Sequence, residues 1–223
     1  MVKRVSLELQ GSGRTVDFSV SSVCCAGYTG RDRAAVEKHV EELKRLGVPA
    51  PSKIPTFYWV SPYILVSDGE QDYIEVKGEE TSAEVEWAAF IGDEFYVTVG
   101  SDHTDRWLEK VDVGRSKQVC QKVFSHHVWA YPEVKDSWDS ISIRSWVDGG
   151  TPYQEGTLSQ IQRLEDMVKE LGLSKGTVLF SGTLPTKGGQ LVYGDSYKME
   201  LDDRTSGKKI ELEYRVKKLP PDC

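Results

Sequence analysis

Four cysteines in 223 residues are too few to staple a secreted scaffold, and two of them, Cys24 and Cys25, are adjacent, a spacing that suits neither an ordinary bridge nor a zinc knuckle. The thiols are therefore expected to be reduced; Cys120, between Lys117 and Lys122, reads as a buried or incidental cysteine. No stretch approaches the roughly 18 uninterrupted apolar residues that cross a bilayer. The N-terminus alternates as Val5, Leu7, Leu9 instead of forming the apolar block of an export signal. A soluble, cytoplasmic chain without a membrane partner is the expectation. Lys/Arg runs are also missing, and 35 acidic against 28 basic residues give a net charge of -7, so nucleic acid is not an expected partner. Repeats and low-complexity tracts are absent, which excludes solenoids and long linkers.

What remains is patterned for a β-rich α+β fold in one domain. Period-two spacing over 5–9 and 16–23, with the turn at Gly11 to Gly13, predicts a hairpin. Between 33 and 46, Ala35, Val36, Val40, Leu43 and Leu46 recur at three and four residues before Gly47 and Pro49, which predicts a helix. On it, His39 and Glu42 stand three apart and share a face. Four prolines between 49 and 62 predict an extended connector that lines a pocket. Short β-type runs follow at 64–66, 73–76, 83–91, 95–99, 141–147, 178–181, 197–201 and 210–216. One further helix is expected over 158–171, stopped by Gly172.

Two clusters carry candidate chemistry. In Glu84-Val85-Glu86 a strand would place both carboxylates on one face, where like charges need a cation or a proton to stay together. Gly100-Ser101-Asp102-His103-Thr104-Asp105-Arg106 follows the 95–99 run, at a strand exit. Hard oxygen donors of this kind suit Mg²⁺, Mn²⁺ or Ca²⁺ better than zinc. The same residues also suit a solvated strand face and a polar turn with Asp102 as a helix cap. His126 and His127 on a strand would point to opposite sides and read as structural or rim residues, while Trp129, Trp138 and Trp146 read as core or dimer-interface packing.

These residues resemble the fumarylacetoacetase superfamily of metal-dependent hydrolases, decarboxylases and tautomerases. Its E-x-E, followed after a strand by an Asp four residues before an Arg, matches Glu84, Glu86, Asp102 and Arg106. Its R-Q-x-G-x-T, helix, L-x-x-G-D-x-I-x-T-G-T-P signature is similar to Tyr153-Gln154-Glu155-Gly156-Thr157 and to 173–185, and the likeness spans 23–216.

The resemblance implies a mixed β-sandwich/β-roll core with a few short helices, one catalytic domain over 1–223, and residues 28–62 as a lid. It implies Mg²⁺ (or Mn²⁺ or Ca²⁺) on Glu84, Glu86 and Asp102, with His39 as general base and Glu42 orienting it. Lys117, in Arg115-Ser116-Lys117-Gln118, takes the role of the family's K-S-F lysine, although Ser and Lys are reversed. Arg106, Gln154, Gly182, Thr183 and Tyr28 become the substrate-binding set. The F-x-K-P of relatives reads here Tyr58-Trp59-Val60-Ser61-Pro62, without the lysine. The implied activity is hydrolysis of a carbon-carbon bond in a 1,3-dicarbonyl or 2-oxo acid by a homodimer. Decarboxylation or tautomerisation of a 2-oxo acid is the alternative, and a non-catalytic small-molecule-binding protein keeping the fold is the rival from another class.

Overall fold

The computed structural model describes residues 2–45 and 47–220, apart from the side chains of His39 and Leu43; the expected helix end at Leu46 and the side chain of His39 lie outside the described residues. Alternation works first. β1 (Lys3–Leu9) buries Val5, Leu7 and Leu9 and pairs antiparallel with β2 (Thr15–Val20). The predicted second arm, 16–23, is in fact two strands. Ser21 donates its N–H to Gly176 and the chain turns into β3 (Ser22–Gly27), which pairs with distant partners.

α1 (Arg33–Arg45) begins where Asp32 accepts the Ala35 N–H at 3.1 Å, and Lys44 and Arg45 face the negative end of its dipole. The proline-rich connector contains a strand, β4 (Thr56–Val60), antiparallel to β3. After β5 (Leu65–Ser67), β6 (Tyr73–Val76) and β7 (Thr81–Ser82) comes the central hairpin of β8 (Val85–Ile91) and β9 (Phe95–Asp102). The two-residue β10 (Thr104–Asp105) leads into the short helices α2 (Arg106–Glu109) and α3 (Val113–Gln118). Both are too short and polar for a periodic signal, and each is started by an aspartate cap, Asp105 to Leu108 N–H at 2.9 Å and Asp112 to Arg115 N–H at 3.0 Å. β11 (Lys122–Phe124), β12 (His127–Ala130), β13 (Ser142–Val147), β14 (Pro152–Thr157), α4 (Leu164–Leu171), β15 (Thr177–Phe180), β16 (Ser196–Asp203) and β17 (Lys208–Lys218) complete the chain.

A helix over 158–171 does not form as one piece. Residues Leu158–Gln160 make a single 3-10 turn, and α4 starts only at Leu164. Between them, Ile161 bridges to Gly30, Gln162 donates its N–H to Thr29, and the Arg31 guanidinium takes the Ile161 and Leu158 carbonyls. Backbone groups that a helix would satisfy internally are committed to another segment. The far end behaves as expected: Gly172 adopts the left-handed conformation (φ 59°) and closes α4 by donating to Val168.

Ten strands form one sheet with the order β2-β1-β12-β9-β8-β15-β3-β4, with β11 and β5 attached beside β9, and β14-β13-β16-β17-β6 form a second sheet. β8 is buried along its whole length. Val85, Trp87, Ala89 and Ile91 face a core shared with Ile143, Met199, Leu201 and Leu212 of the second sheet. Ala88 and Phe90 face the other way, into a core that contains Val5 and Leu7 from one end of the large sheet and Val60 from the other. Opposite ends of one sheet share a core only if the sheet curls, so the architecture is a roll backed by a sandwich. Trp129 and Trp138 are wholly buried, the latter edge-on to Trp87 at 5.5 Å. No helix of the described residues is long and apolar enough to cross a membrane.

Gly100 of β9 lies opposite Glu86 of β8, and a Cβ there would stand 2.7 Å from the Phe180 ring and 3.2 Å from the Ala88 methyl. Gly100→Ala is expected to destabilise the protein by about 1–3 kcal/mol through overpacking, measured as a lower urea midpoint at unchanged slope. A wild-type midpoint in the variant would show that the roll has slack at this point.

Candidate metal centre

Strand alternation puts Glu84 and Glu86 on the same side as Ala88 and Phe90, and Asp102, at the end of β9, donates its N–H to the Glu84 carbonyl at 3.1 Å. One carboxylate oxygen from each of Glu84, Glu86 and Asp102 lies within 4.8 Å of the other two. The three therefore converge where the roll opens. Glu86 and Asp102 are fully buried, and Glu84 retains slight exposure.

Glu86 Oε2 accepts the Gly182 N–H at 2.9 Å, whereas the buried Oε1 has no partner among the described residues. Burial, reinforced by the charge of Asp102, pushes the Glu86 carboxyl well above the usual carboxylate range. Asp102 goes the other way. Burial works against its ionised form, but Lys117 Nζ at 2.5 Å from Oδ2 and Lys122 Nζ at 2.8 Å from Oδ1 outweigh that and hold it below its ordinary value. Glu84 is likewise kept ionised against burial by Lys117, at 3.3 Å, and Arg106, at 3.1 Å. An orphaned oxygen on one of three converging hard donors is what a divalent cation of the Mg²⁺ type would satisfy.

A cavity of about 610 Å³ opens on these groups, with Tyr28, Tyr58, Glu84, Glu86 and Lys117 on its wall. Lys117 reaches it from α3, its ammonium 5.8 Å from the Tyr58 ring centre. Tyr28 follows β3 in a left-handed backbone conformation (φ 60°) that non-glycine residues seldom adopt. Burial, aided by Tyr58 and Glu109, pushes its phenol up to about 12.

Other expected site residues are placed differently. Arg106 is buried behind Glu84, bonded also to Glu109 and, through Nε, to Ser82 at 2.7 Å, and it does not line the cavity. Nor does Gln154, which accepts the Val85 N–H at 3.0 Å and donates to Thr183 Oγ1 at 2.7 Å and the Leu184 carbonyl at 2.6 Å. Gly182 and Thr183 do line it, but the Gly182 amide is bound to Glu86 and the Thr183 hydroxyl donates to the Val85 carbonyl at 2.7 Å. On α1, Ala35 and Val36 reach the cavity, while Glu42 is exposed and 3.8 Å from Lys38.

Two site residues escaped the sequence reading. Lys122, wholly buried against Asp102, opens Lys122-Val123-Phe124, which keeps the Lys and Phe of a K-S-F segment; the valine in place of serine hid it. His103 is wholly buried between Tyr214 Oη and Thr81 Oγ1, each at 2.9 Å, and burial with Lys122 beside it drives its pKa well below 6.5. It is a neutral strut behind Asp102. Cys120 is buried and its thiol is pushed up to about 11 by that burial, in keeping with an inert cysteine. His126 and His127 are not on opposite sides: His126 precedes β12, so alternation does not separate them, and their rings lie 4.1 Å apart.

A carboxyl raised on folding, as Glu86 is, contributes stability that is complete below its ordinary value of 4.5 and is lost as pH climbs toward its folded value. Glu84 and Asp102, being lowered, contribute above the ordinary carboxylate range and lose that contribution in acid. The metal-free protein should therefore lose stability in thermal melts from about pH 5 upward, and Mg²⁺ should restore it. In Glu86→Gln both the alkaline loss and the Mg²⁺ effect should vanish. A metal-free wild type with a flat profile over this range would mean that Glu86 ionises without a cation.

Residues 26–214 match the family model described as "Protein of unknown function (DUF2848)". No curated protein matches the chain. Among solved structures, a candidate fumarylacetoacetate isomerase/hydrolase from Oleispira antarctica superposes with a TM-score of 0.69 at 18% identity, covering 96% of this chain and 100% of that one. A candidate fumarylpyruvate hydrolase from Burkholderia cenocepacia gives 0.69 at 18%, covering 99% and 97%. A 2-keto-3-deoxy-D-arabinonate dehydratase complexed with magnesium and 2,5-dioxopentanoate gives 0.60 at 19%, covering 95% and 79%. At such identities the likeness shows the fold, which is that of the fumarylacetoacetate hydrolase proteins and agrees with the motif resemblance. With that fold, and with a family model covering most of its length, the chain belongs to the DUF2848 family.

Proposed function

We propose that this protein is a divalent-metal-dependent enzyme that cleaves a carbon-carbon bond in a 1,3-dicarbonyl or 2-oxo acid. The observation that carries the reading is the buried Glu86 Oε1, without a partner among the described residues, on one of three converging carboxylates beside a cavity. Glu84, Glu86 and Asp102 would hold Mg²⁺ or Mn²⁺. The charges support an anionic substrate: four carboxylates (Glu84, Glu86, Asp102, Glu109) stand against three cations (Lys117, Lys122, Arg106), a balance of -1 that a divalent ion turns to +1. When bound, such an ion supplies Lewis-acid polarisation of adjacent carbonyl oxygens.

The chain's own groups supply the rest. Lys117 stays charged, because Asp102 and Glu84 overcome the opposing effect of burial, and its ammonium at the cavity wall stabilises negative charge developing on an enolate oxygen. Tyr28 keeps its proton and offers a hydrogen-bond donor to a substrate oxygen. Residues 28–62 form the lid, contributing Tyr28, Val36 and Tyr58 to the wall. His39, three residues beyond Val36 on α1, takes the proton from the attacking water, with Glu42 as its partner.

The place of Lys117 on the cavity wall also supports a second reading. Enolate stabilisation by Lys117, when no water is activated, leads to decarboxylation or tautomerisation of a 2-oxo acid.

Acylpyruvates and oxaloacetate with Mg²⁺ or Mn²⁺ test the proposal. Lys117→Met should lower kcat by about 10²–10³-fold, and Glu84→Ala should abolish turnover together with the metal-induced melting shift. His39→Ala separates the readings: hydrolysis should fall by about 10²–10⁴-fold, whereas decarboxylation should persist. No turnover of any dicarbonyl acid, with no melting shift from either metal, would overturn the enzyme reading.

A further inference from the structure

A second group of ligating side chains lies apart from the cavity. Glu8, His126 and His127 each present one ligand atom within 4.8 Å of those of the other two. The topology brings them together: β1 runs parallel to β12 with Glu8 in register with His127, and the Glu8 N–H donates to the His126 carbonyl at 2.9 Å. His127 Nδ1 lies 3.9 Å from Glu8 Oε1.

His126 is oriented from behind. Asp68 Oδ1 accepts its ring Nδ1–H at 2.6 Å and its backbone N–H at 2.8 Å. That bond leaves Nε2 as the ring nitrogen able to give a lone pair, the arrangement in which a carboxylate sets the tautomer of a metal-bound histidine. Gly69 makes room, since a Cβ there would stand 3.1 Å from the ring. Two imidazoles and one carboxylate suit a borderline ion such as zinc, unlike the all-oxygen set of Glu84, Glu86 and Asp102. Donors around a tetrahedral zinc stand about 3.3 Å apart, so binding requires the partly exposed Glu8 and His127 side chains to draw in toward the His126 ring.

We propose that Glu8, His126 and His127 form a second metal site, for a zinc-type divalent ion, with Asp68 as its positioning residue. The site has a mechanical role. Among the described residues β1 joins β12 through two register pairs, Glu8 with His127 and Leu9 with Val128, so an ion held by Glu8, His126 and His127 fastens the N-terminal hairpin to the rest of the large sheet. The inference is independent of the proposed activity.

Calorimetric titration with Zn²⁺ under excess Mg²⁺ tests it. One zinc per chain is expected, with a rise in melting temperature. Both should be lost in His126→Ala and in His127→Ala and retained in Glu86→Gln, while Asp68→Asn should weaken binding by about 10–100-fold. Cu²⁺ as a spectroscopic probe should show coupling to two ring nitrogens in the wild type, a signal absent from His126→Ala and from His127→Ala. Zinc binding that survives both histidine substitutions, that disappears in Glu86→Gln, or that is absent from the wild type would overturn the proposal, as would a copper spectrum without nitrogen coupling.

Discussion

Asp102 sits with no solvent exposure between two buried ammonium groups, Lys117 and Lys122, and that clamp fixes the carboxylate cluster beside the cavity. A carboxylate removed from water is costly unless its charge is matched and its lone pairs are filled. Here one cation arrives on α3 and the other on β11, so the loops between β9 and β11 are folded around the need to bring both to the same side chain. Removing Asp102 would take away the carboxylate paired with the buried Lys122 charge, at a cost of about 3–5 kcal/mol. Lys122 also donates to the His103 carbonyl at 2.5 Å, which fixes the residue after Asp102 as well.

The curled sheet makes such burial feasible. Because β8 has a core on each side, its carboxylates cannot escape to solvent by tilting, and alternation sends Glu84 and Glu86 into the mouth of the roll while Val85 and Trp87 pack against the second sheet. Glu84 then draws Arg106 and Lys117, and Arg106 draws Glu109 and Ser82. The result is a network in which each charge is placed by the previous one, ending at Glu86, where no cation among the described residues reaches Oε1.

What could be read in the sequence was whatever depends on neighbours along the chain. Alternation located most strands, including Tyr73–Val76 to the residue, and placed Glu84 beside Glu86, while Asp102 joined that pair as a candidate ligand through the motif resemblance. What depends on distant partners was hidden. The break before Leu164 exists because Arg31 and Thr29 claim that backbone, and the strand within the proline-rich connector exists because β3 has an open edge there. Lys122 had no local mark of burial. Arg106 and Gln154 were legible as polar residues near the site, but their direction, toward the scaffold and away from the cavity, is set by Glu84 and by the segment around Thr183.

The internal commitment of Gly182, Thr183, Gln154 and Arg106 divides the cavity into two parts of different origin. One is a rigid cradle made by β8, β9 and the 182–185 segment, whose hydrogen bonds point inward at one another. The other is the wall from Tyr28 to Tyr58, whose aromatic faces, α1 side chains and Arg31 meet the cavity without serving the carboxylates. A changed side chain in the wall can therefore alter what the cavity admits while Glu84, Glu86 and Asp102 keep their places, because the polar groups that hold them are bonded within the cradle.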